Sequence, residues 1–191
     1  MIRMLDPAAF QTVPWKNGGG TATDIAVGLG ADGAVDWRVG TAAILKDGPF
    51  SDYEGVTRTF TIVEGPGVHL DFADEGTRTL DRDQPTRFPG APAPFCRLRD
   101  AASATAFNLL TRDGAASGEV SIRRGHAAEE PVAAAGIVVL HALEEAWSLT
   151  ADGETVVVHQ GAAVQVKGAA TVTVSSAIGG RAAVVTIRPE P

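Results

Sequence analysis

The chain has 191 residues, 45% hydrophobic and 20% charged, with a net charge of −7; this is a globular composition, not a disordered one. Acidic and basic residues are interspersed, so no basic face is offered to nucleic acid, and no stretch approaches the roughly 20 apolar residues of a membrane-spanning helix. The single cysteine, Cys96, excludes an internal disulfide and a multi-cysteine metal site. Met1-Ile2-Arg3-Met4-Leu5-Asp6-Pro7 lacks the apolar run of a signal peptide, so a cytoplasmic location is expected.

Helical periodicity is nearly absent. The 22 glycines and 11 prolines punctuate short β-branched runs, the pattern of an all-β sandwich or barrel. Residues 8–14 read as a strand leading into Trp15-Lys16-Asn17-Gly18-Gly19-Gly20-Thr21. Three successive glycines raise the entropy cost of ordering the backbone, which suits a sharp turn or a close approach. Strands follow over 21–27 and 37–44, with a turn at 30–33; alternation sends Trp37 and Val39 to one side and Arg38 and Gly40 to the other. Residues 46–55 form a turn-rich connection holding two aromatics. Strands are expected over 57–65, 68–72 and 78–80, then a proline-rich connection over 85–94, then strands over 96–99 and 105–111. Residues 101–104 read equally as a helical turn or a strand.

The stretch 113–118 is the best boundary, and beyond it strands restart at 120–123, 136–141, 146–150, 154–159, 163–166, 170–174 and 182–188. Two successive runs of short antiparallel strands imply two stacked β-barrels or one continuous double sandwich. The lobes would cover about 1–115 and about 116–191.

The chemistry-bearing residues fall into weak and stronger groups. His69, His126, His141 and His159 show no local His-x-His or HExxH spacing, so no metal or other cofactor is expected. No G-x-S-x-G elbow is present, and the glycine run lacks the Gly-Lys-Ser/Thr ending of a phosphate loop. Cys96, next to Phe95 and near Leu98, reads as a packed thiol. What remains is Trp15, Lys16, Asn17, Arg38, Arg58 and Asn108, in the first half of the chain. A mid-strand arginine inside a barrel is costly without an anion, and its planar fork suits a carboxylate. The alternative is that both arginines point into water or pair with acids such as Glu64 or Asp36.

Taken in order, Trp15 to Thr21, Thr23-Asp24-Ile25, Asp36-Trp37-Arg38, Asp47-Gly48-Pro49-Phe50-Ser51, Gly55-Val56-Thr57-Arg58, Gly65-Pro66-Gly67, Phe88-Pro89-Gly90 and Phe107-Asn108 resemble the HutD/Ves family. The resemblance is specific over 10–112. It implies a bicupin, two small antiparallel barrels in one chain, and a small-molecule-binding role in histidine utilisation with no established reaction. The implied ligands are small carboxylates, urocanate or formylated glutamate. Asp24 stands where that family often has glutamate, and Gly40 where a serine often follows the arginine. The expected site is a pocket of the N-terminal lobe rimmed by Trp15, Lys16 and Asn17. There Arg58 clamps a carboxylate, Asn17 and Asn108 orient it, and Trp15 or Phe107 stacks on a planar group. Arg38 is the remaining candidate.

Two other readings stand beside this one. A cupin-type isomerase or hydrolase of a small sugar or amino-acid derivative would use Lys16 with Asp24 or Glu64 as acid and base. A protein-interaction module would present an apolar patch. Neither nucleic acid nor membrane is an expected partner; a homodimer through a sheet edge is.

Overall fold

A computed structural model describes residues 1–15, 18–133 and 136–190. Among these the chain forms nineteen strands, two 3-10 turns (Pro7–Ala9 and Arg99–Ala101) and no α-helix. In the first half the strands are β1 (Ile2–Leu5), β2 (Gln11–Pro14), β3 (Gly20–Leu29), β4 (Val35–Ile44), β5 (Gly48–Pro49), β6 (Val56–Glu64), β7 (Val68–Phe72), β8 (Gly76–Leu80), β9 (Thr86–Pro89), β10 (Phe95–Leu98) and β11 (Ala104–Arg112). In the second half they are β12 (Ala116–Arg124), β13 (Glu130–Val132), β14 (Ile137–Ala142), β15 (Trp147–Ala151), β16 (Glu154–Val158), β17 (Ala163–Lys167), β18 (Val172–Ser175) and β19 (Arg181–Pro189). No helix among the described residues is long and apolar enough to cross a membrane.

The strands pair antiparallel into four sheets, ordered β2-β3-β4-β11-β6-β9, β5-β10-β7-β8, β1-β17-β14-β19-β12 and β13-β18-β15-β16. The class is all-β, as expected. The closed-barrel detail is different: among the described residues no sheet closes on itself by hydrogen bonds. The six-stranded sheet ends on β2 and β9, each four residues long and each paired on one side. Among the described residues the outer sides of β2 and β9 pair with no further strand, so this sheet stays open and faces the second sheet of its unit across a core.

The chain divides into two compact units, Gln11–Ala115 and Met1–Phe10 with Ala116–Pro191. The change at 115/116 falls inside the expected boundary stretch. Residues 1–10, however, join the second unit, where β1 lies against β17 from Ile2–Val166 to Leu5–Ala163. Nothing local in a four-residue strand reveals a partner at that sequence separation. Several other elements also differ from the sequence reading. The expected strand over 8–14 begins as a 3-10 turn, 85–94 contains β9, the 46–55 connection contains β5, and β13 lies in a stretch to which the sequence reading assigned no strand.

Each unit buries a core between its own two sheets. In the second, Val138, Leu140 and Ala142 of β14 alternate inward with Trp147, Leu149 and Ala151 of β15 and Val164 and Val166 of β17, the period of two that a pleated strand imposes. In the first, Phe60 and Ile62 of β6 meet Val68 and Leu70 of β7, Leu80 of β8, Phe88 of β9 and Cys96 of β10. Ile44 of β4 and Ala104 and Ala106 of β11 also belong to this core. The β2–β3–β4 side of the six-stranded sheet carries the cleft described below. Burial pushes the Cys96 thiol up to about 12, so it packs as a small apolar group and not as a nucleophile.

His141 is buried on β14, where Nδ1 donates to the Ala162 carbonyl at 3.1 Å. Burial lowers its pKa from 6.5 to about 4. Between those values the unfolded chain binds a proton that the folded chain does not, so stability falls as pH drops through this window. Urea unfolding of the wild type and of His141→Asn should therefore diverge below pH 6.5. By pH 4 the wild type should have lost about 3 kcal/mol relative to the variant; parallel curves would show that His141 does not carry this acid sensitivity.

Candidate functional site

The unit Gln11–Ala115 contains a cleft of about 680 Å³ over the β2–β3–β4–β11–β6 face of the six-stranded sheet. Its floor follows from pairing register. Ala22 lies opposite Ala42, and Ala42 opposite Ala106; Asp24 lies opposite Gly40, and Gly40 opposite Asn108. Small residues in the middle of these rows leave the sheet surface bare, with larger side chains at either side.

Gly40 is required by backbone packing. A bulge between Asp24 and Ala26 shifts β3, and a Cβ at Gly40 would stand 2.4 Å from the Thr23 carbonyl oxygen. The glycine seen in the sequence as a lost hydroxyl is therefore a close approach of two strands. Gly20 is similar: a Cβ there would meet the Ala43 carbonyl at 1.9 Å, with the Trp15 ring next at 3.4 Å. The loop's glycines thus bring β3 tight against β4 and let Trp15 fold over it. Trp15 N donates to Gly20 O, and Gly18 N to Trp15 O, each at 2.9 Å.

The opposite wall is the 46–55 connection, pinned to the segment leading into β10. Leu98 N donates to Asp47 Oδ1 at 2.8 Å and Ala93 N to Asp52 Oδ1 at 2.7 Å. Phe50 N donates to Pro94 O at 3.1 Å and Tyr53 N to Gly90 O at 3.0 Å. The aspartates of this turn-rich stretch thus act on backbone amides, and the result is a fixed presentation of Phe50, Ser51 and Tyr53 to the cleft. An aromatic row continues inward: Trp15 meets Phe50 edge-on at 6.2 Å, Phe50 meets Phe60 at 5.4 Å, and Phe60 meets Phe88 at 6.3 Å.

Arg58 of β6 lies against this row. Its guanidinium sits 4.4 Å from the Phe50 ring centroid and 5.1 Å from that of Phe60, and only 7% of the residue is exposed. Nε donates to Asn108 Oδ1 at 2.9 Å. Among the described residues no carboxylate pairs with it. Burial pulls its pKa down to about 10, so the group is still a cation near neutral pH. Since Arg Nε can only donate, Asn108 must present its oxygen to Arg58, and its Nδ2 amide is left to donate elsewhere. Asn108 itself lines the cleft.

Arg38 also lines the cleft but is in a different state. Its Nε stands 3.6 Å from Asp24 Oδ1, both side chains being more than a third exposed. Neither acid named from sequence pairs with it: Asp36 accepts from Arg112 Nε at 3.0 Å, and Glu64 accepts from Thr105 at 2.8 Å. Phe107 cannot stack on a ligand in this cleft. It is the neighbour of Asn108 on β11, so the pleat turns it to the reverse face, where it is fully buried. The structure brings Trp15, Arg38, Arg58 and Asn108 to one cleft. Lys16 and Asn17 lie outside the described residues. The sequence reading missed Phe50 and Tyr53 as cleft residues; two aromatics inside a turn-rich connection were the available signal.

Among the described residues no three His, Cys, Asp or Glu side chains converge. His69 Nδ1 lies 3.0 Å from Thr79 Oγ1 at a strand pair, and His126 contacts Glu130 on the surface. Chemically, then, the cleft offers a buried cation, a free amide donor, aromatic walls and a partly exposed ion pair.

The family model described as HutD matches residues 7–184. Among curated relatives, Protein Ves of Escherichia fergusonii is 31% identical over 108 residues, covering 56% of each chain. An uncharacterised 21.2 kDa protein in the hutC 3′ region of Pseudomonas putida is 32% identical over 111 residues, covering 57% of each. The chain thus spans a little over half the length of the curated relatives it matches. The solved HutD of Pseudomonas fluorescens SBW25 superposes with a TM-score of 0.82 at 23% identity over 100% of both chains. A cupin 2 conserved barrel domain protein from Leptotrichia buccalis matches with a TM-score of 0.56 at 10% identity, covering 92% of each chain. The fold is cupin-like, and with the family model covering most of its length, the chain belongs to the HutD family.

Proposed function

We propose that this protein is a non-catalytic binder of a small carboxylate that acts in histidine utilisation, urocanate and formylglutamate being the candidate ligands. One observation carries the reading: Arg58 is buried, charged and without a carboxylate partner among the described residues, at the wall of a cleft large enough for a metabolite. A buried cation left this way is costly unless a ligand supplies the anion. The Asn108 amide stands beside it as a second donor, and Phe50 and Trp15 offer apolar surface for a planar group. The physiological setting is supported by the HutD family membership and by the relative whose description places it in the hutC 3′ region. We further propose that the two units are the two cupin-type lobes of a bicupin, with the ligand site in the lobe that spans Gln11–Ala115.

The enzymatic alternative has less to rest on in this cleft. Of the acids considered as partners for Lys16, Glu64 does not line it, and Asp24 does. An isomerase or hydrolase would show product formation from bound urocanate or formylglutamate; saturable binding with unchanged ligand supports the present reading.

A charge-assisted hydrogen bond contributes about 1.5–3 kcal/mol, so calorimetry should show Arg58→Ala binding urocanate about 10- to 150-fold more weakly. Equal affinities would remove Arg58 from the site. Arg58→Met, which keeps the volume and removes the buried charge, should melt at the wild-type temperature or above it without ligand. It should also lose the roughly 2.7 kcal/mol that a ligand at 100 times its Kd adds to the wild type.

Asn108→Asp tests the same charge from the other side. It places a carboxylate where Oδ1 now accepts from Arg58 Nε at 2.9 Å, giving the guanidinium an internal counter-ion. Expected are a higher melting temperature without ligand and carboxylate affinity weaker than that of Asn108→Ala. If Asn108→Asp binds at least as tightly as Asn108→Ala, the cation is not the anchor.

A further inference from the structure

The carboxylate reading uses only one side of the cleft. Across the bare floor, on β3, stands a group that it leaves unexplained. Asp24 lines the cleft and its carboxylate accepts no hydrogen bond from the described residues; its ion-pair partner among them, Arg38 Nε, is 3.6 Å away, beyond good hydrogen-bond length. Both carboxylate oxygens are therefore open to a donor. Arg38 likewise makes no hydrogen bond among the described residues, and its charge is offset by Asp24.

Register fixes how these groups are spaced. Gly40 pairs with Asp24 on one side and with Asn108 on the other, so Asp24 and Asn108 are two strands apart in one row. At the usual strand spacing that is about 10 Å between backbones. Arg58 is one strand further on, paired with Leu110. Between Asp24 and Asn108 lies Gly40; the Ala22–Ala42 pair flanks this row on one side, and Arg38 and Leu110, in the row of Arg58, flank it on the other. The cleft thus has donors at the Arg58–Asn108 end and an acceptor, beside Arg38, at the Asp24 end, with Gly40 between Asp24 and Asn108.

We infer that Asp24 is a specificity-determining residue, selecting a ligand that carries an N–H donor opposite its carboxylate. This rests on the reading of Arg58 as the carboxylate anchor and adds the chemistry of the ligand's far end. A planar ring with an N–H would lie over Gly40 and donate to Asp24. A ligand with a second carboxylate would have to set that group beside an ion pair whose cation already has its counter-charge, so it would lose hydration there without gaining an uncommitted cation. Among small carboxylates the cleft therefore favours a monocarboxylate bearing a nitrogen heterocycle over a dicarboxylate. It also discriminates against a carbocyclic analogue, which desolvates Asp24 without giving it a hydrogen-bond donor.

The test is a matched pair of ligands that share a carboxylate, an acrylate linker and a flat ring: urocanate, whose imidazole has an N–H, and cinnamate, whose phenyl ring has none. Calorimetry on the wild type, Asp24→Ala, Asp24→Asn and Arg58→Ala is expected to give the following pattern. The wild type prefers urocanate by about tenfold or more, the lower end for a hydrogen bond to a charged group. Asp24→Ala loses that preference and binds cinnamate at least as tightly as the wild type, because the carboxylate that the phenyl ring desolvates is gone; that binding also shows the cleft is intact. Asp24→Asn, which keeps one acceptor oxygen, regains part of the preference, and Arg58→Ala weakens both ligands. N-formylglutamate binds the wild type more weakly than urocanate. Equal wild-type affinity for urocanate and cinnamate, or a preference that survives in Asp24→Ala, would overturn the role of Asp24 and leave the Arg58 anchor standing. If Arg58→Ala weakens neither ligand, the anchor fails and this inference fails with it.

Discussion

The cost of burying the Arg58 guanidinium organises the lobe formed by Gln11–Ala115. A cation with 7% of its surface exposed forgoes most of its hydration, and the surroundings return only part of that free energy. The Phe50 and Phe60 ring faces offer their negative quadrupole, and Asn108 accepts one hydrogen bond. Neither supplies an opposite charge. Natural cores usually avoid this arrangement by pairing or by substitution with an apolar residue. Here an open cleft sits against it.

Much of the neighbouring architecture follows from keeping that arrangement fixed. Phe50 must stay under the guanidinium, and the connection that carries it is tied to the β10 side by two aspartate–amide bonds and two backbone bonds. Asn108 must face the cleft, and its place in the middle of a nine-residue strand paired on both sides leaves it no freedom to turn. The floor must be flat, and the β3 bulge with Gly40 and the facing alanines makes it so. Rigid elements hold side chains more exactly than free loops do; of the connections that line the cleft, the 46–55 stretch is pinned to the β10 side and Trp15 is held by backbone bonds with Gly18 and Gly20.

The all-β class, the turn positions and most of the strands of both halves were legible in the sequence, because alternation and glycine–proline punctuation are local signals. Arg58 and Asn108 were legible as candidates because a polar side chain inside an apolar alternating run is conspicuous. Three things were not. Phe107 looked as suitable a stacking residue as Trp15, yet one step along β11 puts it on the reverse face. Arg38 and Arg58 looked alike, and only the fold separates a rim arginine beside Asp24 from a buried one with no carboxylate partner among the described residues. Gly40 looked like a lost functional group, and it is a contact between two strands.

By itself, the sequence determined the secondary-structure class, the family and the residue types available for chemistry, since these depend on short-range pattern and on motif order. Tertiary structure decided which of those residues share a cleft, which face each takes, and that β1 belongs with strands in the second half of the chain. The physical reason is that register and pairing are set between segments distant in sequence. A shift of one residue reverses the face of every side chain on a strand. The glycine loop shows the division well: its composition announced a close approach, and only the fold showed that the approach is of β3 to β4, with Trp15 laid over the join.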